Sequence, residues 1–392
     1  MTPAARVQAA IEVLDLVIEA ARSNGAPADR LITEWFRSRR FAGSSDRRAV
    51  RELAYRAIRA CGEVPVNGRS AMLLLAKDDA ALATLFDGSR HGPEPVLDGE
   101  PVARPGIAPA WLDERLAASG ISGEEAAALL GRAPLDLRVN TLKADRETIE
   151  LPVETQPTAA PQGLRLMAPA TVEQWPAWND GLIEVQDTGS QLACEVLAAR
   201  PGETVIDLCA GAGGKTLALA AAMENRGTLL ASDSDRTRLS RLEPRAGRAG
   251  ATIIETLLLN PGREMEALAP WQGRADAVLV DAPCSGTGTW RRNPEARWRL
   301  DEKELARFTA LQSRLLDVAT QLVRPGGRLV FITCSLLDAE GRGQADGFLA
   351  RHAGWRAETL MPGTGRAHGG GIRFTPLHDG TDGFFVACLV SP

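Results

Sequence analysis

The sequence predicts a doubly wound α/β sheet in its C-terminal half, an all-α domain at its N-terminus and a small α/β segment between them. Three observations carry this. Apolar residues in the first hundred positions recur at helical spacing. From about residue 183, short apolar runs alternate with helical stretches. Those runs end near Asp207, Asp233, Asn260, Asp281 and Cys334, the first four at intervals of 21 to 27 residues. That interval is the rhythm of strand–helix units feeding a parallel sheet, whose functional groups gather at the carboxyl ends of the strands.

Size and composition allow this and exclude much else. The 392 residues predict two to three domains, and 44% hydrophobic with 24% charged residues is an ordinary globular balance. No stretch approaches 18 uncharged apolar residues, so no membrane span is expected. Arg6, Glu12, Asp15 and Glu19 break up any leader-like core, which points to a cytoplasmic protein. A net charge of −5 excludes attachment to nucleic acid by bulk charge but leaves room for a local basic groove. The cysteines at 61, 194, 209, 284, 334 and 388 include no C-x-x-C, and the four histidines form no zinc-spaced cluster. No metal is expected, and the thiols should be reduced. The sequence is silent on oligomeric state, and a monomer is the default.

In chain order, Val7, Ile11, Leu14 and Ile18 mark a first helix, and Val50, Leu53, Ala54, Ala57 and Ile58 a later one behind a Ser45–Asp46 cap. Between Arg37 and Arg59 stand eight arginines against Asp46 and Glu52. A solvated helix face explains them, and so does a patch facing RNA, with Arg47 and Arg48 at its centre. Residues 87–109 turn to Gly, Pro and acids and read as a linker after a helical domain at 1–86. A small α/β segment follows at 110–180. It has helices near Trp111–Ala118 and Glu124–Gly131, a strand over Leu135–Lys143 and a loop over Thr155–Pro169. The remainder, 181–392, is the sheet domain.

Thr204–Thr216 is a strand, a glycine turn and a helix. A Walker loop requires glycine where Cys209 stands, and a dinucleotide fingerprint requires it where Thr216 stands. A third reading is the loop of a class I methyltransferase, whose glycines let the backbone approach S-adenosyl-L-methionine. Asp233 ends the next strand, where a carboxylate accepts hydrogen bonds from ribose hydroxyls. NAD would use the same carboxylate, so this residue alone does not separate the two ligands.

Cys284 lies in Asp281-Ala-Pro-Cys-Ser-Gly-Thr-Gly after one apolar strand, and Cys334 ends another 50 residues on. Cys61, Cys194 and Cys388 fit inert core positions. The other two sit at strand ends beside turn residues, where Lys215 would favour a thiolate. Methyl transfer to carbon 5 of cytosine needs such a thiolate. Its addition to carbon 6 makes carbon 5 nucleophilic, and a base must later remove the carbon 5 proton. Amino-group methyltransferases need no thiol and carry an aromatic residue where Cys284 stands.

Three motifs together are specific: Asp207-Leu-Cys-Ala-Gly-Ala-Gly-Gly-Lys-Thr, Asp281-Ala-Pro-Cys-Ser-Gly-Thr-Gly and Thr333-Cys-Ser. The chain resembles the RNA cytosine-5 methyltransferase family of the Sun/RsmB and Nop/Sun type. Leu137–Lys143, Val185–Asp187, Arg291–Trp298 and Asp379–Phe385 match as well, and Phe41–Arg59 resembles the NusB-like RNA-binding domain of the bacterial RsmB branch. The resemblance implies a class I (Rossmann-like) methyltransferase sheet of seven strands with a reversed final strand, for which Phe384–Val390 is the candidate. It implies Cys334 as nucleophile, Cys284 assisting product release and Asp281 against cofactor and base. It implies Cys209, Ala210, Gly211, Ala212, Gly213, Gly214, Lys215, Asp233 and Asn260 around S-adenosyl-L-methionine. Arg291, Arg292, Arg297 and Arg299 would meet phosphates. The substrate implied is small-subunit (16S) ribosomal RNA, with the base turned out of its stack.

Two departures stand out. Asn260 replaces the family's usual aspartate, and Asp338-Ala-Glu-Gly replaces Pro-Glu-Glu-Asn after the Thr-Cys-Ser motif. The altered loop sustains a rival reading, an RNA-binding protein that keeps the cofactor fold but is catalytically weakened. A nucleotide-dependent enzyme using Lys215 and Thr216 is a second rival.

Overall fold

The computed structural model describes residues 1–23, 25–360 and 363–392, and its backbone divides into two units. One comprises Met1–Arg132 with Thr289–Glu302, the other Ala133–Gly288 with Lys303–Pro392.

The first unit is helical. Helices α1 (Pro3–Arg22), α2 (Ala28–Arg37), α3 (Ser44–Ala60) and α4 (Gly68–Asp78) form its core. The apolar stripe of α1 is buried throughout at Val7, Ile11, Leu14 and Ile18. It packs with Val50, Ala54, Ala57 and Ile58 of α3 in one cluster. The α3 cap differs from expectation. Gly43 is the N-cap and its N–H donates to Asp46 Oδ2 at 3.2 Å, so Asp46 lies in the first turn. That carboxylate also pairs with Arg6 at 2.9 Å.

Residues 87–109 are not a free tether. Arg69 grips them, pairing with Glu100 at 2.8 Å and donating to Glu94 O and Pro95 O. Gly62 N and Gly106 N bond with Arg104 O and Ala60 O. One arginine side chain satisfies carbonyls that a Gly/Pro-rich stretch leaves unpaired. The helices Ala110–Ala118 and Gly123–Ala128 also belong to this unit.

The second unit holds two sheets. The smaller orders its strands β2–β3–β1–β4, with β1 Asp136–Val139, β2 Thr155–Pro157, β3 Gly163–Leu166 and β4 Ile183–Val185. The expected loop over Thr155–Pro169 is therefore largely a hairpin. Exposed β2 and the prolines at 157 and 161 masked the alternation of Leu164 and Leu166, which are buried.

The larger sheet contains β5 Thr204–Asp207, β6 Thr228–Asp233, β7 Ile254–Leu258, β8 Ala275–Asp281, β9 Val323–Thr333, β10 Arg356–Ala357, β11 Arg366–His368, β12 Gly371–Phe374 and β13 Phe384–Val390. Its order is β11–β12–β13–β9–β8–β5–β6–β7, with β10 on β13. Strands β5 to β9 pair in parallel, whereas β13 runs antiparallel to β9 with Phe385 opposite Thr333. This is the expected Rossmann-like sheet, reversed strand included. Short β10 and β11 bring it to nine strands. Order reverses between β5 and β8, so the carboxyl ends of β5, β6, β8 and β9 open on one crevice. Among the described residues no helix is long and apolar enough to cross a membrane.

Candidate active site

The glycine loop after β5 is shaped by two left-handed residues, Gly211 (φ 55°) and Gly213 (φ 85°). A Cβ on Gly213 would lie 2.0 Å from Leu242 Cδ1, so only glycine turns the chain here. Asp233, at the end of β6, accepts Gly211 N–H at 2.7 Å on one oxygen and Asp235 N–H at 2.7 Å on the other. A carboxylate has about four acceptor positions, so two remain for a ligand. Under the loop, Thr216 Oγ1 donates to Asp207 Oδ2 at 2.7 Å. Burial pushes the Asp207 carboxyl up to about 7, against the Thr216 hydrogen bond.

The smaller sheet braces this loop. Arg138 of β1 donates to Gly214 O at 2.9 Å and to Gln186 Oε1. Buried Glu184 pairs with Arg245 at 2.8 Å and with Arg248, and Arg245 also donates to Ala212 O at 2.6 Å. The motif matches at Leu137–Lys143 and Val185–Asp187 thus fall on braces behind the loop.

At the ends of β8 and β9 the thiols meet. Cys284 Sγ and Cys334 Sγ are 3.3 Å apart, both half-buried. The hydrogen bond shared with Cys334, with burial, holds the Cys284 thiol well above the usual range, so Cys284 carries its proton at neutral pH. Lys215 pairs with Asp281 at 2.5 Å. Burial pulls the Lys215 ammonium down, but the Asp281 carboxylate and the nearby thiols outweigh it, and its pKa is raised. The other thiols behave as core groups: burial lifts Cys61, Cys194 and Cys388 each to about 12.

Sequence reasoning missed the group that joins the two cysteine loops. Glu340 is fully buried. Its Oε1 accepts Ser285 N–H at 2.9 Å and Gln312 Nε2 at 3.0 Å. Its Oε2 accepts the Ser335 hydroxyl at 2.6 Å and the Ser285 hydroxyl. Ser285 follows Cys284 and Ser335 follows Cys334, so one carboxylate ties both. The signal was present in Asp338-Ala-Glu-Gly, where the glutamate survives the change around it.

One cavity of about 830 Å³ collects the pieces: Cys209, Asp233, Asp281, Cys284 and Cys334 line it, together with Arg238. Leu259 and Pro261 form an apolar wall. Asn260 between them, expected around the cofactor, is exposed and does not line it. Ala210, Gly211, Ala212, Gly213, Gly214 and Lys215 are not among its lining residues. Glu264 and Arg314, paired at 2.5 Å, and Phe308 complete the rim and were not anticipated. Among the described residues no group of three or more His, Cys, Asp or Glu is placed to hold a metal.

The arginines after the Pro-Cys motif lie in the first unit. Arg297 is fully buried and donates to Ile58 O at 2.6 Å, Cys61 O at 2.8 Å and Pro294 O. Burial lowers its pKa to about 10, so it stays charged. Arg299 donates to Gly25 O and Ala26 O at 2.5 and 2.7 Å. Arg291 is buried and Arg292 half-buried. Arg297 and Arg299, expected to meet phosphates, instead engage backbone carbonyls within the helical unit. Arg47 and Arg48 are exposed on α3.

Residues 194–390 match the family described as 16S rRNA methyltransferase RsmB/F. The probable ribosomal RNA small subunit methyltransferase B of Synechocystis sp. is 38% identical over 270 residues, 65% of this chain and 59% of its own. The ribosomal RNA small subunit methyltransferase B of Erwinia tasmaniensis is 38% identical over 66% of this chain and 60% of its own. The chain thus spans about 60% of the length of these relatives. The crystal structure of PH0851 superposes with a TM-score of 0.76 at 28% identity over 99% of both chains. A Rossmann-like sheet, a glycine loop at its crevice and a thiol pair on adjacent strand ends thus come with sequence identity across the same region, and the chain belongs to the RsmB/F methyltransferase family.

Proposed function

We propose that this protein is a cytoplasmic S-adenosyl-L-methionine-dependent cytosine-5 methyltransferase acting on 16S ribosomal RNA. The observation that carries the reading is the Cys284–Cys334 pair at 3.3 Å, lining the same cavity as Asp233 and Asp281. Methyl transfer to nitrogen or to a ribose hydroxyl needs no thiol. Transfer to carbon 5 needs one to activate the ring.

The cavity suits the cofactor in size and chemistry. About 830 Å³ lies within the range of small-molecule sites. Asp233 has acceptor capacity for ribose hydroxyls, and Leu259 and Pro261 offer an apolar slot for a base. When bound, S-adenosyl-L-methionine supplies a methyl group made electrophilic by its sulfonium. Cys334 Sγ forms a bond to carbon 6, and the carbon 5–carbon 6 π electrons move to carbon 5. Carbon 5 takes the methyl group. Solvent takes the carbon 5 proton, the electrons of that C–H bond re-form the double bond, and the carbon 6–sulfur bond breaks to release the Cys334 thiolate. Cys284, held protonated beside Cys334, returns a proton to the departing thiolate. Lys215 fixes Asp281 facing the base. The intact Glu340 network supports this reading over a weakened RNA-binding protein, since the altered loop keeps its tie to the serines that follow both thiols.

The test uses labelled S-adenosyl-L-methionine and ribosomal RNA from cells lacking the protein, with digestion to nucleosides. Label in 5-methylcytidine, lost in Cys334→Ala, is expected. Cys284→Ala should accumulate a covalent RNA adduct stable on denaturing gels. Label in another nucleoside would remove the thiol mechanism. An adduct in Cys334→Ala but not in Cys284→Ala would exchange the two roles.

A further inference from the structure

The helical unit contains a cleft of about 1070 Å³. Gln8 of α1 forms one side, Trp35, Arg39 and Phe41 another, and Arg90 and His91 of the segment after Asp87 a third. Phe41 is 74% exposed, more than any other large apolar side chain among the described residues. The Arg39 guanidinium lies 3.9 Å from the Trp35 ring centroid and is held by Glu12 at 3.0 Å. Arg40, next to the lining residues Arg39 and Phe41, and Arg90 are exposed, and among the described residues neither forms an ion pair; Glu12 and Glu94 also line the cleft.

The third wall is fixed rather than loose. Gly88 N–H donates to Pro93 O at 3.0 Å and Gly92 N–H to Ser89 O at 2.9 Å. A Cβ on Gly92 would stand 2.9 Å from Ala4 Cβ, so the turn bearing Arg90 and His91 is seated on the start of α1. An exposed ring, a stacked guanidinium and unpaired cations on a rigid frame are the components of a single-strand binding groove. An apolar protein partner would leave these guanidinium groups unpaired. A polyanion with flat, unpaired bases satisfies both the ring and the charges.

We propose that this cleft grips a single-stranded segment of the RNA substrate, with one base stacked on Phe41 and the flanking phosphates paired with Arg40 and Arg90. The inference rests on the RNA reading above and adds where the strand is held.

The test is fluorescence anisotropy with a short labelled oligouridylate and an RNA duplex. The full chain carries its tag at the C-terminus, because Met1 and Thr2 line the cleft. Phe41→Ala should weaken oligouridylate binding by about 5- to 150-fold, the range for loss of one base–aromatic stack. Phe41→Trp should restore it, and duplex binding should be unmoved. Arg40→Ala and Arg90→Ala should each reduce the salt slope by about 0.7, as expected for one single-strand phosphate. Wild-type affinity in Phe41→Ala would overturn the proposal. So would a change in sedimentation of Phe41→Ala with RNA affinity intact, which would make the cleft a protein contact. A wild-type chain that binds neither RNA would instead overturn the RNA reading itself, and the cleft proposal with it.

Discussion

Glu340 illustrates how a single buried carboxylate can set the geometry of a reaction it does not touch. Four donors from Ser285, Ser335 and Gln312 converge on it. Removing it strands those donors and frees two loops that hold their thiols 3.3 Å apart. A misplacement of 1 Å costs on the order of 100-fold in rate. Glu340→Ala should therefore lower kcat about 100-fold with KM for RNA little changed, and Glu340→Gln, which keeps one acceptor, should retain more. Equal loss in both, confined to thermal stability, would reduce Glu340 to a packing residue. Asp207 gives a pH-dependent prediction. Its buried carboxyl titrates near 7 against an ordinary value of 3.8. Between about pH 4 and 7 the folded chain keeps a proton that the unfolded chain has lost, so this group's stabilisation is complete below pH 4 and disappears as pH rises through 7. Asp207→Asn retains an acceptor for Thr216 and cannot ionise. Urea unfolding should show the variant gaining on wild type from pH 4.5 to 8, by on the order of 4 kcal/mol at most. Parallel stability curves would refute it.

Elements were legible where one physical signal dominated. The helical stripe of α1 and the spaced strands of the large sheet are set by burial on one face or both, and periodicity reports burial directly. The hairpin at β2 and β3 was not legible, because β2 is an edge strand with little to bury. The segment after Asp87 read as a linker because its order comes from Arg69, a side chain outside it. Resemblance places Asn260 at a strand end, whereas β7 ends at Leu258 and it is Leu259 and Pro261 that line the cavity. The glycine loop was legible, but which glycines are obligatory was not. Gly213 has φ 85° and no room for a Cβ, whereas Gly214 has nothing within 4 Å of one. Gly213→Ala should cost about 2 kcal/mol or more, from left-handed strain and the clash with buried Leu242. Calorimetry should show its cofactor affinity falling with it. Gly214→Ala starts a helix with a better helix former and should leave stability within about 0.5 kcal/mol of wild type. Equal destabilisation of the two would contradict the steric account.

Across the whole molecule, the chain leaves the sheet unit after Gly288, contributes Thr289–Glu302 to the helical unit and returns. The sequence concealed this because four arginines in nine residues carry the signature of a phosphate-binding run. In the structure two of them, Arg297 and Arg299, reach backbone carbonyls instead. Trp298 lies in the helical core, and Glu295 Oε1 accepts Ala28 N–H at 2.9 Å at the start of α2. Arg297 satisfies Ile58 O and Cys61 O at the end of α3. A fragment of residues 1–132 therefore lacks part of its own core and exposes the end of α3. It should unfold at a lower temperature than the same unit in the full chain, and a peptide spanning 289–302 should raise its midpoint. In the full chain, Arg297→Ala should cost about 3 kcal/mol or more, because it removes charge-assisted bonds from buried carbonyls that water cannot reach. Hydrogen exchange should localise the loss to α3 and the start of α2, leaving β5 to β9 protected. Uniform loss across both units, or an isolated 1–132 fragment as stable as the unit in the full chain, would show that the crossing segment is not what completes the helical core.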